Sequence, residues 1–253
     1  MSGNNISSEL SKLDELTSYF RKSDLIILAA RPAMGKTTLS INIANNIVSQ
    51  KNKSVLFFSL DNSYKDLKER YKLNNEVSCF LENNNLDKAT LIIEDTKDAL
   101  EDIENKTREV CSQKNIGLII INYLQYIDIK EDKFKIIYDF KEIDKYNKFN
   151  FEKLKRLKVL ACEFNVPIIC LYHLHPKLEE RQDKCPQLSD FLEQTCIEEN
   201  SDTIIFLYRD EYYNPSNSDR KGIAEIIIAK YDNKKYNIYL NFDSKLCVSK
   251  IKD

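Results

Sequence analysis

The sequence contains no apolar run close to the roughly 20 residues that a membrane-spanning helix needs. Its polar first residues, MSGNNISSELSK, also lack the apolar core of a signal peptide. We therefore expect the protein neither to be exported nor to associate with a membrane. The seven cysteines include no C-x-x-C pair, which favours reduced thiols in a cytosol-like compartment. A net charge of only −2 excludes a global attraction to nucleic acid, so any DNA contact requires a local patch.

What the chain does contain is a globular balance of 42% hydrophobic and 31% charged residues over 253 positions. That length suits one large α/β domain or two small ones. Almost continuously apolar segments alternate with segments of helical spacing, which is typical of a mostly parallel sheet covered on both faces. The last strands follow one another without helices, which predicts an antiparallel edge. The predicted strands are residues 25–30, 55–60, 89–94, 118–121, 166–172, 203–208, 224–230 and 237–242, and the predicted helices are 37–50, 64–71, 97–114 and 150–165.

The segment ARPAMGKTT, residues 30–38, follows the first predicted strand and opens the first predicted helix. A phosphate-binding loop needs this context, because successive backbone N–H groups and a helix N-terminus can surround phosphate oxygens. Gly35 lets the backbone approach closely, Lys36 would reach the terminal phosphates, and the Thr37 hydroxyl would ligate magnesium. The candidate nucleotide-binding residues are Ala33, Met34, Gly35, Lys36, Thr37 and Thr38.

The general pattern G-x-x-x-x-G-K-[ST] has one mismatch, because Ala30 stands where the first glycine belongs. One alternative is a strand–turn–helix joint that contains GKT by chance. The mismatch is informative, however, because LIILAARPAMGKT resembles the phosphate loop of the DnaB-type replicative helicases, which commonly reads A-R-P-[SA]-M-G-K-T.

Further blocks resemble the same family in order and spacing, from residue 10 to about residue 234. They read LSKLDELT, FFSLDNS, IGLIIINYLQYI, LKVLACEFNVPIICLYHL and CPQLSDFLEQTCIEENSDTIIFLYRDEYYNP. The resemblance implies an α/β fold of the RecA-like P-loop NTPase type, with a mostly parallel central sheet flanked by helices. Residues 1–253 would form a single RecA-like ATPase domain with residues 1–20 as a lead-in segment, lacking the separate N-terminal domain of full helicases.

The resemblance also implies cofactors, partners and a compartment. The cofactors would be ATP and Mg²⁺, and the ligand of active relatives is single-stranded DNA. The family suggests a homo-oligomer, a hexameric ring, or co-assembly with a full-length helicase. The compartment would be the cytoplasm, or an organelle with a bacterial-type replication system.

Two residues that would handle magnesium and water differ from the family pattern. Asn122 follows the apolar segment 118–121 where the family has an aspartate, so its uncharged amide would hold a magnesium-bound water more weakly. Asp61 replaces the catalytic glutamate of F-S-L-E and is one methylene shorter, and a misplacement of about 1 Å can cost on the order of 100-fold in rate. Alternatively, Asp61 or Ser63 caps the following helix, and both roles can coexist.

The other catalytic positions differ too. His173 replaces the family's sensor glutamine, and its neutral ring could donate one hydrogen bond to a γ-phosphate. His173 and His175 could instead suggest a metal site, although the sequence offers no third ligand. Lys230 matches the lysine of the family's K-Q-R-N-G, which reaches the γ-phosphate of a neighbouring subunit. Asp232 replaces the arginine finger of that motif, and such an arginine is worth roughly 10³–10⁵ in rate. Lys234 could restore the positive charge, but lysine lacks the planar guanidinium that makes paired hydrogen bonds.

The DNA-facing block L-R-E-S-G of the family reads FLEQT here, at residues 191–195. Leu192 and Thr195 replace its arginine and glycine, which leaves Glu193 as the candidate DNA contact. Residues 130–158 carry ten Lys/Arg against six Asp/Glu and could supply substitute charge, or could simply solvate a loop and a helix face. Residues 128–149, which overlap this window, show the weakest pattern, and we predict a mobile loop there.

These features predict an ATP-binding motor domain related to replicative DNA helicases, with weak hydrolysis. The alternative is a catalytically inactive, nucleotide-binding partner of a replication helicase with a structural or regulatory role. The substitutions that motivate this alternative are Asn122, Asp61, Asp232 and Leu192. A recombinase or clock-type ATPase of the same fold fits the motif blocks less well.

Overall fold

The computed structural model describes residues 20–49, 53–70, 77–79, 89–96, 98–129, 143–192, 194–231 and 234–242. Within these residues, nine strands form one sheet. The strands are β1 (Leu25–Ala30), β2 (Ser54–Ser59), β3 (Val77–Cys79), β4 (Leu91–Glu94), β5 (Ile116–Asn122), β6 (Ile168–His173), β7 (Thr203–Tyr208), β8 (Ile223–Tyr231) and β9 (Lys234–Asn241).

The spatial order of the strands is β3-β4-β2-β5-β6-β1-β7-β8-β9. All neighbours from β3 to β7 in this order are parallel, whereas β8 and β9 add an antiparallel edge. Strands β1 and β5 are buried along their whole length, which explains why they read as continuous apolar runs. The expected mostly parallel sheet with an antiparallel C-terminal edge is confirmed.

Helices cover both faces of this sheet. Those in the described residues are α1 (Lys36–Ser49), α2 (Tyr64–Arg70), α3 (Leu100–Gln113), α4 (Ile143–Phe164), α5 (Gln194–Asn200) and α6 (Asp210–Tyr213). Leu39 of α1 packs in the core on one face, whereas Ile103 of α3 and Leu157 of α4 pack in the core on the other. Truncating such a side chain to alanine typically costs about 2–5 kcal/mol of stability. In the described part of the chain, no helix is both long and apolar enough to cross a membrane.

The sequence did not predict β3, α5 (Gln194–Asn200) or α6 (Asp210–Tyr213), and α4 begins earlier than predicted. Strand β3 has only three residues, too few for an apolar pattern to stand out, and no element was predicted there. Helix α4 begins at Ile143, so residues 143–149 of the predicted loop 128–149 are helical. Their sequence, IDKYNKF, contains no glycine or proline that would stop a helix. Residues 130–142 of that predicted loop lie outside the described residues.

Candidate nucleotide-binding site

Four parallel strands end at the same edge of the sheet and bring predicted site residues together there. β1 and β6 pair Ala30 with His173, and β2 and β5 pair Ser59 with Asn122. Ligands of open α/β sheets bind in the crevice outside the carboxyl ends of the strands. The candidate site therefore lies where this fold class places ligands.

The loop between β1 and α1 has the backbone shape of an anion cradle. Ala33 has φ 63° and Gly35 has φ 100°, both in the left-handed region. For a residue other than glycine this conformation costs about 1–3 kcal/mol, so the surrounding structure must hold Ala33 in place. Such a turn gathers successive N–H groups around one point, and α1 begins immediately afterwards at Lys36. Residues 33–38 thus have the backbone geometry that the predicted phosphate loop requires.

An aromatic ring from the end of the sheet lies against this loop. A Cβ atom placed on Gly35 would lie 2.5 Å from Cε2 of Phe242. The guanidinium carbon of Arg209 lies 3.9 Å from the centroid of the same ring. Residue 35 therefore has neither the space nor the backbone conformation for a side chain.

Lys36 supplies the buried amine of the site, with 2% of its surface exposed. Its Nζ donates to the carbonyl oxygens of Ala30 at 2.9 Å and Arg31 at 3.0 Å, and lies 3.3 Å from Nδ1 of His173. Burial, followed by the positive charge of Arg31, lowers the pKa of Lys36 to about 7, while Asp61 acts in the opposite direction. These three hydrogen-bonding partners carry no negative charge, so an anionic ligand would strongly favour the protonated amine.

His173 is a neutral imidazole at physiological pH. Burial, together with the charges of Lys36 and Arg31, lowers its pKa to about 4. When Lys36 is protonated it can only donate, so Nδ1 of His173 then accepts and the ring proton is assigned to Nε2. The ring thus keeps one N–H donor, which is what a phosphate sensor requires.

Tyr123 contacts three of the predicted site residues, although it was not itself predicted from the sequence. Its ring centroid lies 4.0 Å from that of His173, and its hydroxyl lies 3.2 Å from Oγ1 of Thr37. Nζ of Lys36 lies 5.5 Å from the same tyrosine ring. The available signal was its position directly after Asn122 in the block INYLQYI.

Asn122 and Asp61 form a hydrogen-bonded pair. Asn122 is fully buried, and its Nδ2 donates to Oδ1 of Asp61 at 2.6 Å. Oδ1 of Asn122 has no hydrogen-bond partner within the described residues. The helix cap that the sequence assigned to Asp61 or Ser63 belongs to Ser63, whose Oγ accepts from the backbone N–H of Asp66 at 3.2 Å. The Asp61 side chain instead extends toward the end of β5.

Two further residues, Gln125 and Arg31, form hydrogen bonds that hold the ends of the site strands, and the sequence did not predict either role. Gln125 donates to the carbonyl oxygen of His173 at 3.0 Å and accepts from its backbone N–H at 3.3 Å. Arg31 donates to Oε1 of Glu179 and to the carbonyl oxygen of Leu174, both at 2.8 Å. The loop between β1 and α1 is thereby connected to the segment that follows β6.

Other predicted residues have separate surroundings. Lys230 donates to the carbonyl oxygens of Glu198 and Ser201 at the end of α5, so within this chain it caps a helix C-terminus. Nδ1 of His175 accepts from the backbone N–H of Lys177 at 3.1 Å and caps a 3₁₀ turn. Leu192 is exposed. The candidate DNA contact Glu193 and Asp232, which was predicted to replace the arginine finger, lie outside the described residues.

A comparison with protein families identifies the chain. The sequence model of the DnaB-like helicase C-terminal domain matches residues 5–248. The chain belongs to this family. The replicative DNA helicase DnaB of Geobacillus stearothermophilus is 35% identical over 273 residues, which cover 95% of this chain and 57% of that protein. This DnaB-like domain thus spans about half the length of the curated relatives it matches.

Solved structures agree with this assignment. A structure described as an ATPase domain is 26% identical with a TM-score of 0.75, covering 96% of this chain and 90% of that one. A DnaB-like replicative helicase, described with its interactions with primase, is 26% identical with a TM-score of 0.74, covering 94% of this chain and 59% of that one. The expected RecA-like fold of the DnaB-like domain is thereby confirmed.

The residues of the DnaB-like domain fit a nucleotide that brings its own magnesium. Among the described residues, no group of three or more His, Cys, Asp or Glu side chains is arranged to hold a metal ion, and His173 and His175 belong to no such group. Magnesium on a nucleotide is usually held by one or two protein groups together with phosphates and waters. The buried, unpartnered Oδ1 of Asn122 and the Thr37 hydroxyl suit such a shell.

Proposed function

We propose that this DnaB-like domain binds Mg-ATP through residues 33–38 and hydrolyses it slowly, as the ATP-binding motor domain of a replicative helicase system. The observation that carries the proposal is a buried Lys36 whose hydrogen-bonding partners are neutral, at the start of a helix that follows an anion cradle. A buried amine without a counter-charge among these partners becomes positively charged only at a cost, which a bound anion would offset. The phosphates of ATP would be that anion.

Each residue would have a distinct part in the reaction. Lys36 would exchange its carbonyl partners for terminal phosphate oxygens, and the Nε2–H of His173 would donate to the γ-phosphate. Thr37 and Asn122 would hold the magnesium shell, and magnesium bound with the nucleotide supplies positive charge to the β- and γ-phosphate oxygens. Asp61 would orient the attacking water and accept its proton.

Slow turnover follows from residues that act on the terminal phosphate. Asp61 is one methylene shorter than the family's glutamate, which would place its carboxylate farther from the water. Asp232 replaces an arginine finger that is worth roughly 10³–10⁵ in rate in related ATPases. Both changes lower the stabilisation of the transition state rather than the binding of the nucleotide.

A second candidate is a nucleotide-binding partner that does not hydrolyse ATP and co-assembles with a full-length helicase. The observation that favours it is the position of Lys230, whose ammonium caps α5 of its own chain. A lysine engaged in this way would have to break both contacts before it could act on a neighbouring subunit in a homo-oligomeric ring. Single-stranded DNA would be a ligand of the assembly in either case.

The test of nucleotide binding is calorimetric titration of ATP with Mg²⁺ into the purified protein and its Lys36→Ala variant. Loss of a hydrogen bond to a charged group should weaken binding by at least about tenfold. Lys155→Ala is the matched control, because Lys155 is exposed on α4 and should not affect binding. ATP affinity unchanged by Lys36→Ala would reject the site.

A further inference from the structure

The side chains of Asn122 and Asp61 meet because two neighbouring strands end together. β2 and β5 pair Ser59 with Asn122, and the backbone N–H of Leu60 donates to the Asn122 carbonyl oxygen at 2.7 Å. Two residues beyond Ser59, Asp61 receives the Asn122 amide at 2.6 Å. Backbone and side-chain hydrogen bonds thus hold the turn after β2 against the end of β5.

The orientation of the Asn122 amide follows from its partner. An ionised carboxylate only accepts hydrogen bonds, so the group facing Asp61 must be the NH₂ donor. The flipped amide would place two oxygens 2.6 Å apart with no proton between them. The oxygen of Asn122 is therefore the buried atom that has no partner among the described residues.

An aspartate at position 122 could not make this contact. It has no donor when ionised, and its negative charge would lie beside that of Asp61 within a hydrogen-bond distance. Like charges this close repel strongly even where solvent screens them. The asparagine is thus the residue that is compatible with a carboxylate at position 61 in this geometry.

We propose that Asn122 is a positioning residue that holds the Asp61 carboxylate at the magnesium and water side of the nucleotide site, which operates with one carboxylate instead of two. This rests on the proposed function. Asn122 is then an adapted part of the site, and replacing it by the family's aspartate weakens the site.

A double-mutant cycle tests the pair. AMP-PNP, a non-hydrolysable ATP analogue, is titrated at several Mg²⁺ concentrations into the unsubstituted protein, Asn122→Ala, Asp61→Ala and the double variant. Asn122→Ala should raise the Mg²⁺ midpoint by roughly tenfold or more, as expected for a hydrogen bond to a charged group. In the Asp61→Ala background the same change should have a clearly smaller effect, because only the contact of the Asn122 oxygen with magnesium-bound water is then lost.

Asn122→Asp, which is isosteric, is the second variant and also serves if Asn122→Ala does not fold. It should raise the Mg²⁺ midpoint as well. Thermal unfolding followed by circular dichroism should show each variant folded at the assay temperature, with a lower melting temperature where the Asn122 contact is lost. AMP-PNP binding in EDTA does not use the magnesium shell, so its retention separates positioning from a general loss of structure. Additive effects in the cycle, or a lower Mg²⁺ midpoint in Asn122→Asp, would overturn the inference. Absence of AMP-PNP binding to the unsubstituted protein would instead overturn the proposed function and this inference with it.

Discussion

Binding of ATP should take up close to one proton at pH 8. In the free protein burial lowers the pKa of Lys36 from 10.5 to about 7, so at pH 8 only about one-tenth of the molecules carry the ammonium form. Contact with phosphate oxygens favours the charged form and raises this pKa again. Binding should therefore require protonation above pH 7, and ATP affinity should fall by up to about tenfold for each pH unit.

The assay is calorimetric titration of Mg-ATP between pH 7.5 and 9, in pairs of buffers that differ in ionisation enthalpy. The second ionisation of a phosphate group has a pKa near 6 and is nearly complete by pH 7.5, so the ligand itself contributes little in this range. The slope of the observed enthalpy against the buffer enthalpy counts the protons taken up. A slope of zero, with a dissociation constant that is flat across the range, would refute the assignment of Lys36 as a buried phosphate ligand of lowered pKa.

Three further predictions concern Arg31 and Gly35, in the loop between β1 and α1, and Asp24, directly before β1. Arg31→Gln should move the midpoint of this proton uptake to higher pH, because the Arg31 charge lowers the pKa of Lys36; an unmoved midpoint would contradict the coupling. Gly35→Ala should weaken ATP binding and lower the melting temperature, because the new Cβ would lie 2.5 Å from Phe242 and the backbone has φ 100°; unchanged calorimetric affinity would contradict the loop geometry. Burial raises the pKa of Asp24 from 3.8 to about 6, so its stabilising contribution is complete below pH 3.8 and is lost as the pH rises through 6. Asp24→Asn should therefore raise the free energy of unfolding at pH 7.5 by up to about 3 kcal/mol, and by much less at pH 4, in urea titrations; an equal effect at both pH values would contradict this.

The central sheet could be predicted because its strands are buried on both faces. Segments such as LIILAA and IGLIIIN have no polar alternation to confuse with a half-buried strand, and the helices between them show helical spacing. Strand β3 was not predicted because three residues are too few to show a periodic pattern. The start of α4 was not predicted because polar residues (Asp, Lys and Asn) dominate its first two turns and leave no apolar helical spacing.

The convergence of Lys36, Asn122 and His173 followed from motif order, since parallel strands end at a common edge. The contacts that these residues make could not be predicted from motif order. The bond from Asn122 to Asp61 depends on strand register, and the capping role of Lys230 depends on where α5 ends. Both are properties of tertiary structure that no local pattern encodes.

The most direct measurement is steady-state ATP hydrolysis by the purified protein, with and without single-stranded DNA. ATP bound through Lys36, with a shortened base at Asp61 and an aspartate in place of the arginine finger, predicts turnover far below the roughly 1–10³ per second that is typical of enzymes, with little stimulation by DNA. DNA-stimulated turnover of several per second, abolished by Lys36→Ala, would contradict the account, because it would show a fully active motor.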